Sequence, residues 1–326
     1  VRAWTVSRYG HYKQELTLSE VETPRPEGPT TLIQVEAAGV MFADILNING
    51  SYQIKAPLPF TPGCEAAGTV REAGAGSKFK EGDRVVALNL VGAFAETMFA
   101  LDEFTFLLPE GMTFAEAAAF TINYQTAWFA IHVRGRLAGG ETLLVHGGAG
   151  GVGTAAIQLG KHLGATVIAT AGSDEKLQVC KDCGADHVIN YRTEDFVPRV
   201  KEIADGAGAG LIFDPVGGEI FEKSIKCAGF EGRIVSVGFA SGVWPTAHVN
   251  RVMVKNIDII GLNWGNYQLH KPEAIQAAQA VLYDIYNQGA IKPVIYKQYP
   301  MAGLPEALEA IESRKSFGKV ILEPQH

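Results

Sequence analysis

Four cysteines in 326 residues are too few to build a disulfide framework. Cys180 and Cys183 do form a C-x-x-C, but they fall inside a helix expected to begin near Asp174. A redox pair needs the helix N-terminus, where a thiolate is stabilised, so these two read as packed or surface thiols. Positive charge is also in deficit: 28 Lys and Arg against 35 Asp and Glu leave a net charge of −7. That balance gives no electrostatic footprint for nucleic acid or an anionic membrane. No apolar run reaches the length of a membrane span, and the opening VRAWTVSRYGHYKQE lacks the apolar core of a signal peptide. A cytoplasmic globular protein is expected. Its length is sufficient for two domains with their own cores.

Glycine, by contrast, is abundant and in one place ordered. In LLVHGGAGGVGTAAIQLGKHLG (143–164), Gly148, Gly150 and Gly153 stand at the spacing G-x-G-x-x-G. In that spacing the first glycine permits a tight turn, the second lets backbone approach a pyrophosphate, and the third lets helix pack on strand. The following helix offers unpaired N–H groups and a partial positive charge. An apolar strand pattern precedes the glycines, an amphipathic helix follows, and TVIATA (166–171) reads as the next strand. A dinucleotide site fits that context far better than a chance glycine-rich turn.

Around this stretch, strands are expected at 142–146, 166–171, 187–190, 211–214, 233–238 and 257–262. Helices are expected at 151–163, 174–183, 193–204, 219–228 and 246–255. Such alternation describes a doubly wound parallel sheet over 123–264. Residues 1–122 read instead as short strands separated by proline and glycine turns. MTFAEAAAFTINYQTAWFAIHV then supplies helices leading into the parallel domain. The tail, 265–326, carries a helix over 272–288, a strand near 294–299, a helix over 304–313 and the strand GKVILEP. It is assigned to the first domain, because a closed six-strand order leaves its last strand no place.

The succession AAGVMFADI, LPFTPGCEAAGTV, INYQTAW, HGGAGGVGTAAIQLGKHLGATVIATAGSDEKL, GADHVINY, FDPVGG and FGKVILEP resembles the medium-chain dehydrogenase/reductase superfamily from end to end. Within it the chain is most similar to the zinc-independent quinone oxidoreductase branch, which includes zeta-crystallin. The resemblance implies an α/β architecture, with a GroES-like β-rich catalytic domain and a Rossmann domain, and the cofactor in the cleft between them.

An NAD-selective site places an Asp or Glu at the end of the second strand, about 20 residues past the glycines. Here that place reads ATAGS (169–173), and Asp174 comes one step late, as a helix N-terminal residue. Lys176 follows, with Tyr191 and Arg192 after the third strand. A lone helix lysine is ordinarily just solvated, but the resemblance aligns Lys176 and Tyr191 with residues that hold a 2′-phosphate. NADPH is therefore the expected cofactor. The family also implies contacts from Gly148, Gly150, Gly151, Val152 and Gly153, from Gly172 and Ser173, and from Thr126. Gly238 and Phe239 would line the nicotinamide pocket, with Asn263 and Gly265 flanking it. His146 reads as a core residue with no catalytic role.

The superfamily's zinc enzymes place a Cys, a His and a further Cys or acid around an open metal position. This chain has Met41, Cys64 and Ile122 at those places, and Ala43 where a hydroxyl would relay the alcohol proton. Val85 to Pro109 contains no cysteine for a structural zinc. No metal is expected. Met41 and Cys64 would line the substrate cleft, Met41 replacing the asparagine common in the branch. Tyr52, in the loop NGSYQ, is the candidate catalytic group, though a packed loop tyrosine is an even alternative. The expected activity is hydride transfer from NADPH to a quinone or an α,β-unsaturated carbonyl, in a homodimer. The rival readings are an alcohol dehydrogenase of the same superfamily and a non-enzymatic, crystallin-like or RNA-binding NADPH protein.

Overall fold

A computed structural model describes residues 1–23 and 25–325. The chain forms two compact units: 1–122 with 272–279 and 293–326, and 123–271 with 280–292. Each is built around its own sheet.

The first unit opens with β1 (Arg2–Val6) and β2 (Leu16–Glu20), paired antiparallel across the single turn α1 (Tyr12–Glu15). The sequence reading did not mark this hairpin, because β2 (LTLSE) is polar and half-exposed. The long strand β3 (Thr30–Val40) then anchors the main sheet. It pairs antiparallel with β4 (Glu65–Ala73), which continues to β5 (Arg84–Leu88), while β6 (Thr97–Leu101) pairs antiparallel with Thr30–Gln34 on the other edge of β3. The short β7 (Thr105–Leu107) closes that side on β5. Between β3 and β4 lies α2 (Phe42–Asn49), which ends at Gly50 with φ of 76°. Only glycine enters that left-handed cap without strain. The core of this unit gathers Ile33, Val35, Ile48, Phe94 and Met98 with Leu304, Leu308 and Leu322.

The helical stretch after β7 is one helix rather than several. α3 (Phe114–Trp128) starts with a capping box: the Glu116 N–H donates to Thr113 Oγ1 at 3.1 Å, and the Thr113 N–H donates to Glu116 Oε2 at 3.0 Å. It runs on as a π-helical turn over Phe129–Arg134. Hydrophobic periodicity does not separate such a widened turn from a break.

The second unit alternates β8 (Thr142–Val145), α4 (Gly151–His162), β9 (Thr166–Ala171), α5 (Asp174–Asp182), β10 (His187–Asn190) and α6 (Phe196–Ile203). It continues with β11 (Ala209–Asp214), α7 (Gly218–Cys227), β12 (Ala228–Ser236), α8 (Val249–Lys255) and β13 (Asp258–Gly261). The six strands are all parallel, in the order β10-β9-β8-β11-β12-β13. Connections leave β8 toward one side and return on the other, which makes its C-terminal end the switch point where such sheets bind ligands. β12 begins earlier than expected, at Ala228, because α7 ends directly before it. Cys180 and Cys183 are both packed, so the C-x-x-C is core filling.

The rest of the chain adds α9 (Gly265–His270), which the sequence reading missed, then α10 (Pro272–Asn287), β14 (Ile295–Pro300), α11 (Leu304–Glu312) and β15 (Lys319–Glu323). β15 lies between β14 and β3, with Ile321 opposite Gly39, so the tail's last strand completes the first unit. The tail is not wholly of that unit, however. Residues 265–271 and 280–292 pack with the parallel sheet.

Candidate functional site

Glycine geometry at the end of β8 separates the three positions. A Cβ added to Gly148 would lie 2.9 Å from Cys180 Sγ and 3.0 Å from Ala169 Cβ, so the turn is pressed onto the sheet. One added to Gly153 would lie 2.3 Å from the Gly147 carbonyl oxygen, where helix and turn touch. At Gly150 the same atom would meet only the Gly147 oxygen, at 3.3 Å, and beyond it is open space. The first and third glycines are thus packed against their surroundings, and the second faces open space. Gly151 is backed by Asn123, whose Nδ2 would be 2.7 Å from a Cβ there. Sequence reasoning missed this side chain, and nothing in INYQTAW marks it. Val152 sits in the first turn of α4, so its N–H belongs to the orphan donors of that helix.

These features separate two substitutions. Gly153→Ala should lower stability by about 1–3 kcal/mol, the usual cost of overpacking against backbone. Gly150→Ala should keep the melting temperature close to that of the parent protein and weaken nucleotide binding. Thermal unfolding and a nucleotide titration of both variants check this, and the reverse ranking would overturn the assignment of roles.

At the end of β9 no carboxylate stands between Ala169 and Ser173. Ser173 caps α5, its Oγ accepting the Lys176 N–H at 3.4 Å. β10 ends opposite, with Asn190 paired to Ala171, and delivers the next two residues to the same place. The position of a Gly172 Cβ is 2.5 Å from the Tyr191 hydroxyl and 3.2 Å from Arg192 Nε. The Tyr191 and Arg192 side chains therefore meet Gly172, and Ser173 next to it holds the Lys176 backbone.

The remaining candidates also lie past strand ends. Asp214, which ends β11, accepts the N–H groups of Val216 and Gly217 at 2.8 and 3.0 Å. That turn is joined to the loop after β12: the Ala240 N–H donates to Pro215 and the Ser241 N–H to Val216. Gly238 follows the Val237 N–H bond to Asp214, and the Phe239 ring lies over Gly217. Asn263 and Gly265 follow β13, with Trp264 between them donating from Nε1 to Gln125 Oε1 at 3.4 Å. Thr126, the next residue on α3, is buried. His146 is indeed locked in the core. The Ser224 hydroxyl donates to Ile220 O, so it accepts from His146 Nε2 at 2.9 Å, and Thr170 donates to Nδ1 at 3.0 Å. Burial pushes the imidazole down to about 3, and it stays neutral.

The first unit brings together Met41, Tyr52 and Cys64. The Met41 N–H donates to Asp44 Oδ2 at 2.8 Å, and Cys64 Sγ lies 3.7 Å from Asp44 Oδ1. Tyr52 is half-buried in the loop after α2, and its N–H donates to Leu46 O at 3.1 Å. Burial raises its phenol, and the neighbouring Cys64 and Asp44 add to that. Behind them Lys319 Nζ meets Glu65 Oε2 at 3.0 Å, both side chains buried. Among the described residues, no three His, Cys, Asp or Glu side chains converge as a metal-binding group.

Two family models cover most of this architecture: an alcohol dehydrogenase GroES-like domain matches residues 28–121, and a zinc-binding dehydrogenase domain matches 151–280. Mouse quinone oxidoreductase-like protein 2 is 38% identical over 313 residues, spanning 95% of this chain and 89% of that protein. Escherichia coli quinone oxidoreductase, solved in complex with NADPH, superposes with a TM-score of 0.92 at 30% identity over 99% of this chain and 100% of that one. The CurK enoyl reductase superposes with a TM-score of 0.89 at 26% identity over 99% and 98%. The GroES-like and parallel-sheet units, the ordered glycines and these relatives agree, and the chain belongs to the medium-chain dehydrogenase/reductase superfamily, in its zinc-independent quinone oxidoreductase branch.

Proposed function

We propose that this enzyme is an NADPH-dependent, zinc-independent reductase whose acceptor is a quinone or an α,β-unsaturated carbonyl compound. The observation that carries the cofactor assignment is the end of β9. It has no acid to take a ribose 2′-hydroxyl, and it has the Tyr191 hydroxyl and Arg192 against Gly172, with Lys176 in the first turn of α5 that follows. A dianionic 2′-phosphate suits that donor set, and an adenosine ribose alone leaves it unused. The N–H groups of Gly148 to Gly153 would take the pyrophosphate, and Thr126, Gly238 and Phe239 the nicotinamide end, with Asn263 and Gly265 beside them. When bound, NADPH supplies the hydride.

The acceptor follows from what the first unit offers. Met41 and Ile122 stand where metal ligands would be needed, and Ala43 where an alcohol proton would be relayed. Hydride addition to a conjugated acceptor needs neither, because conjugation spreads the developing negative charge. The chain's part is to position the acceptor and to meet its oxygen with a hydrogen bond, for which Tyr52 is the candidate donor. A screen of ortho- and para-quinones, enones and enoyl thioesters with NADPH, run with and without a chelator, tests this. Turnover should appear with at least one class and survive chelation. Loss of all activity on chelation would refute zinc independence.

The quaternary state is part of the same reading. β13 forms an edge of the parallel sheet, with Ile259 exposed, and α8 beside it buries none of its residues. Val249, Met253 and Val254 on that helix are 77%, 68% and 75% exposed. An open apolar edge of this kind invites pairing, and a second copy of the chain joined through a two-fold axis would cover it. Sedimentation at micromolar concentration should find a dimer, and Ile259→Lys should shift it toward monomer. A parent protein that sediments only as monomer would refute the assignment.

A further inference from the structure

The first unit buries two carboxyl groups around a single ammonium group, with a partly exposed thiol beside them. Asp44 and Glu65 have no exposed surface, and Lys319 is 2% exposed. Glu65 is fully engaged: Lys319 Nζ lies at 3.0 Å from Oε2, and the Ile122 N–H donates to Oε1 at 2.9 Å. Asp44 has weaker company. Its hydrogen-bond neighbours are the Met41 amide at 2.8 Å and Cys64 Sγ at 3.7 Å. One cation thus serves two carboxyl groups in a desolvated space, and the less well paired one keeps its proton. Burial pushes Asp44 up to about 7 and Glu65 adds to that, against the lowering by the Met41 N–H and Lys319.

Cys64 continues the cluster outward. Its S–H can donate to Leu90 O, 3.2 Å from Sγ, or to Asp44 Oδ1, and the Asn47 amide reaches the sulfur at 3.9 Å. Burial holds the thiol well above its ordinary range, so it rests as S–H. Asn47 is 4% exposed and its Oδ1 has no hydrogen-bond partner. Asp44 is sealed, but Cys64 and Tyr52 are partly exposed, so the thiol lies on the open side of the carboxyl group.

We propose that Asp44 and Cys64 form a two-step relay that protonates the carbon α to the carbonyl after hydride has been delivered to an enone. The proposal rests on the reductase reading above. Hydride at the β carbon leaves an enolate. Its α carbon takes the proton of Cys64: the S–H bond breaks, a C–H bond forms, and sulfur keeps the electron pair as thiolate. The Asp44 carboxyl group then gives its proton to sulfur and becomes a carboxylate, with Lys319 offsetting its charge. It recovers a proton from water through Cys64 once the product has left. Both transfers run from the weaker-held to the stronger-held position, since a carboxyl group near 7 lies well below a buried thiol.

The test uses an α-methyl enone with NADPH in D₂O, the parent protein, Cys64→Ala and Asp44→Asn. The parent should give one enantiomer of the α-deuterated product, with kcat falling as pH rises through about 7, where Asp44 loses its proton. Cys64→Ala should lower enone kcat by about a hundredfold, the usual contribution of a positioned acid, and give a racemic α centre with no step near neutrality. In nucleotide-free protein, the infrared band of a protonated carboxyl group should fade over the same pH range. That band should shift in Cys64→Ala and vanish in Asp44→Asn; if Asp44→Asn does not fold, Cys64→Ala carries the test. Unchanged stereochemistry and pH profile in Cys64→Ala, or a band that does not titrate, would overturn the relay. A parent protein that turns over quinones but no α-methyl enone would overturn it and leave the reductase reading standing. No turnover with either acceptor would remove both.

Discussion

Assayed with one acceptor, kcat/KM should favour NADPH over NADH by about ten- to a hundredfold or more, and Lys176→Glu should remove most of that preference. A charge-assisted hydrogen bond to a phosphate contributes about 1.5–3 kcal/mol, and each 1.4 kcal/mol is tenfold. Tyr191 and Arg192 converge on the same glycine and supply further donors, so the effect should exceed that of one contact. The variant goes further than removing a donor, because a carboxylate repels a 2′-phosphate and accepts the 2′-hydroxyl of NADH. Lys176→Glu should therefore weaken NADPH and improve NADH together. Arg192→Ala should weaken NADPH alone. The site is open to solvent, so the preference should shrink as ionic strength rises. Equal use of both nucleotides by the parent protein would sink the assignment.

The parallel-sheet unit was legible because its signals are local. Its strands, buried on both faces, read as short apolar runs, and each helix between them has its own period. LLV before GGAGGVG locates the switch point with no tertiary information. The N-terminal hairpin was not legible, because β2 has no continuous apolar run and owes its place to pairing with β1. The tail was misassigned in part for a similar reason. Residues 280–287 continue a helix that starts in the first unit, and periodicity cannot report which core each turn of that helix meets.

The site divides in the same way. Lys176, Tyr191 and Arg192 could be singled out because they follow strands at set distances. Asp44 was invisible. In sequence it is an acid in the first turn of a helix, where the dipole favours a carboxylate and many such residues sit in water. Its burial depends on β15, which brings Lys319 beside Glu65 and Gly39 from the far end of the chain. The surroundings of Cys64 were hidden for the same reason: its neighbours Asp44, Asn47 and Leu90 come from α2 and the β5–β6 connection.

The enzyme should consume NADPH with a quinone, or reduce the C=C bond of an activated enone, and should fail to oxidise ethanol-like alcohols with NADP. Alcohol oxidation requires the hydroxyl proton to leave as hydride departs from carbon. By the resemblance, the positions that would bind a metal hold Met41, Cys64 and Ile122, only one of them a ligand type, and the proton-relay position holds Ala43, which has no hydroxyl. Reduction of a conjugated acceptor places the negative charge on the acceptor's own oxygen, where one good donor suffices. Tyr52 is suited to that task by its partial exposure and by a phenol that burial and the nearby Asp44 and Cys64 keep protonated. Tyr52→Phe should lower kcat/KM for the preferred acceptor by about ten- to a hundredfold, the kinetic equivalent of one hydrogen bond to developing charge. An unchanged Tyr52→Phe would return that side chain to packing and leave the reductase reading intact. Robust alcohol oxidation, with no turnover of any quinone or enone, would defeat the reading outright.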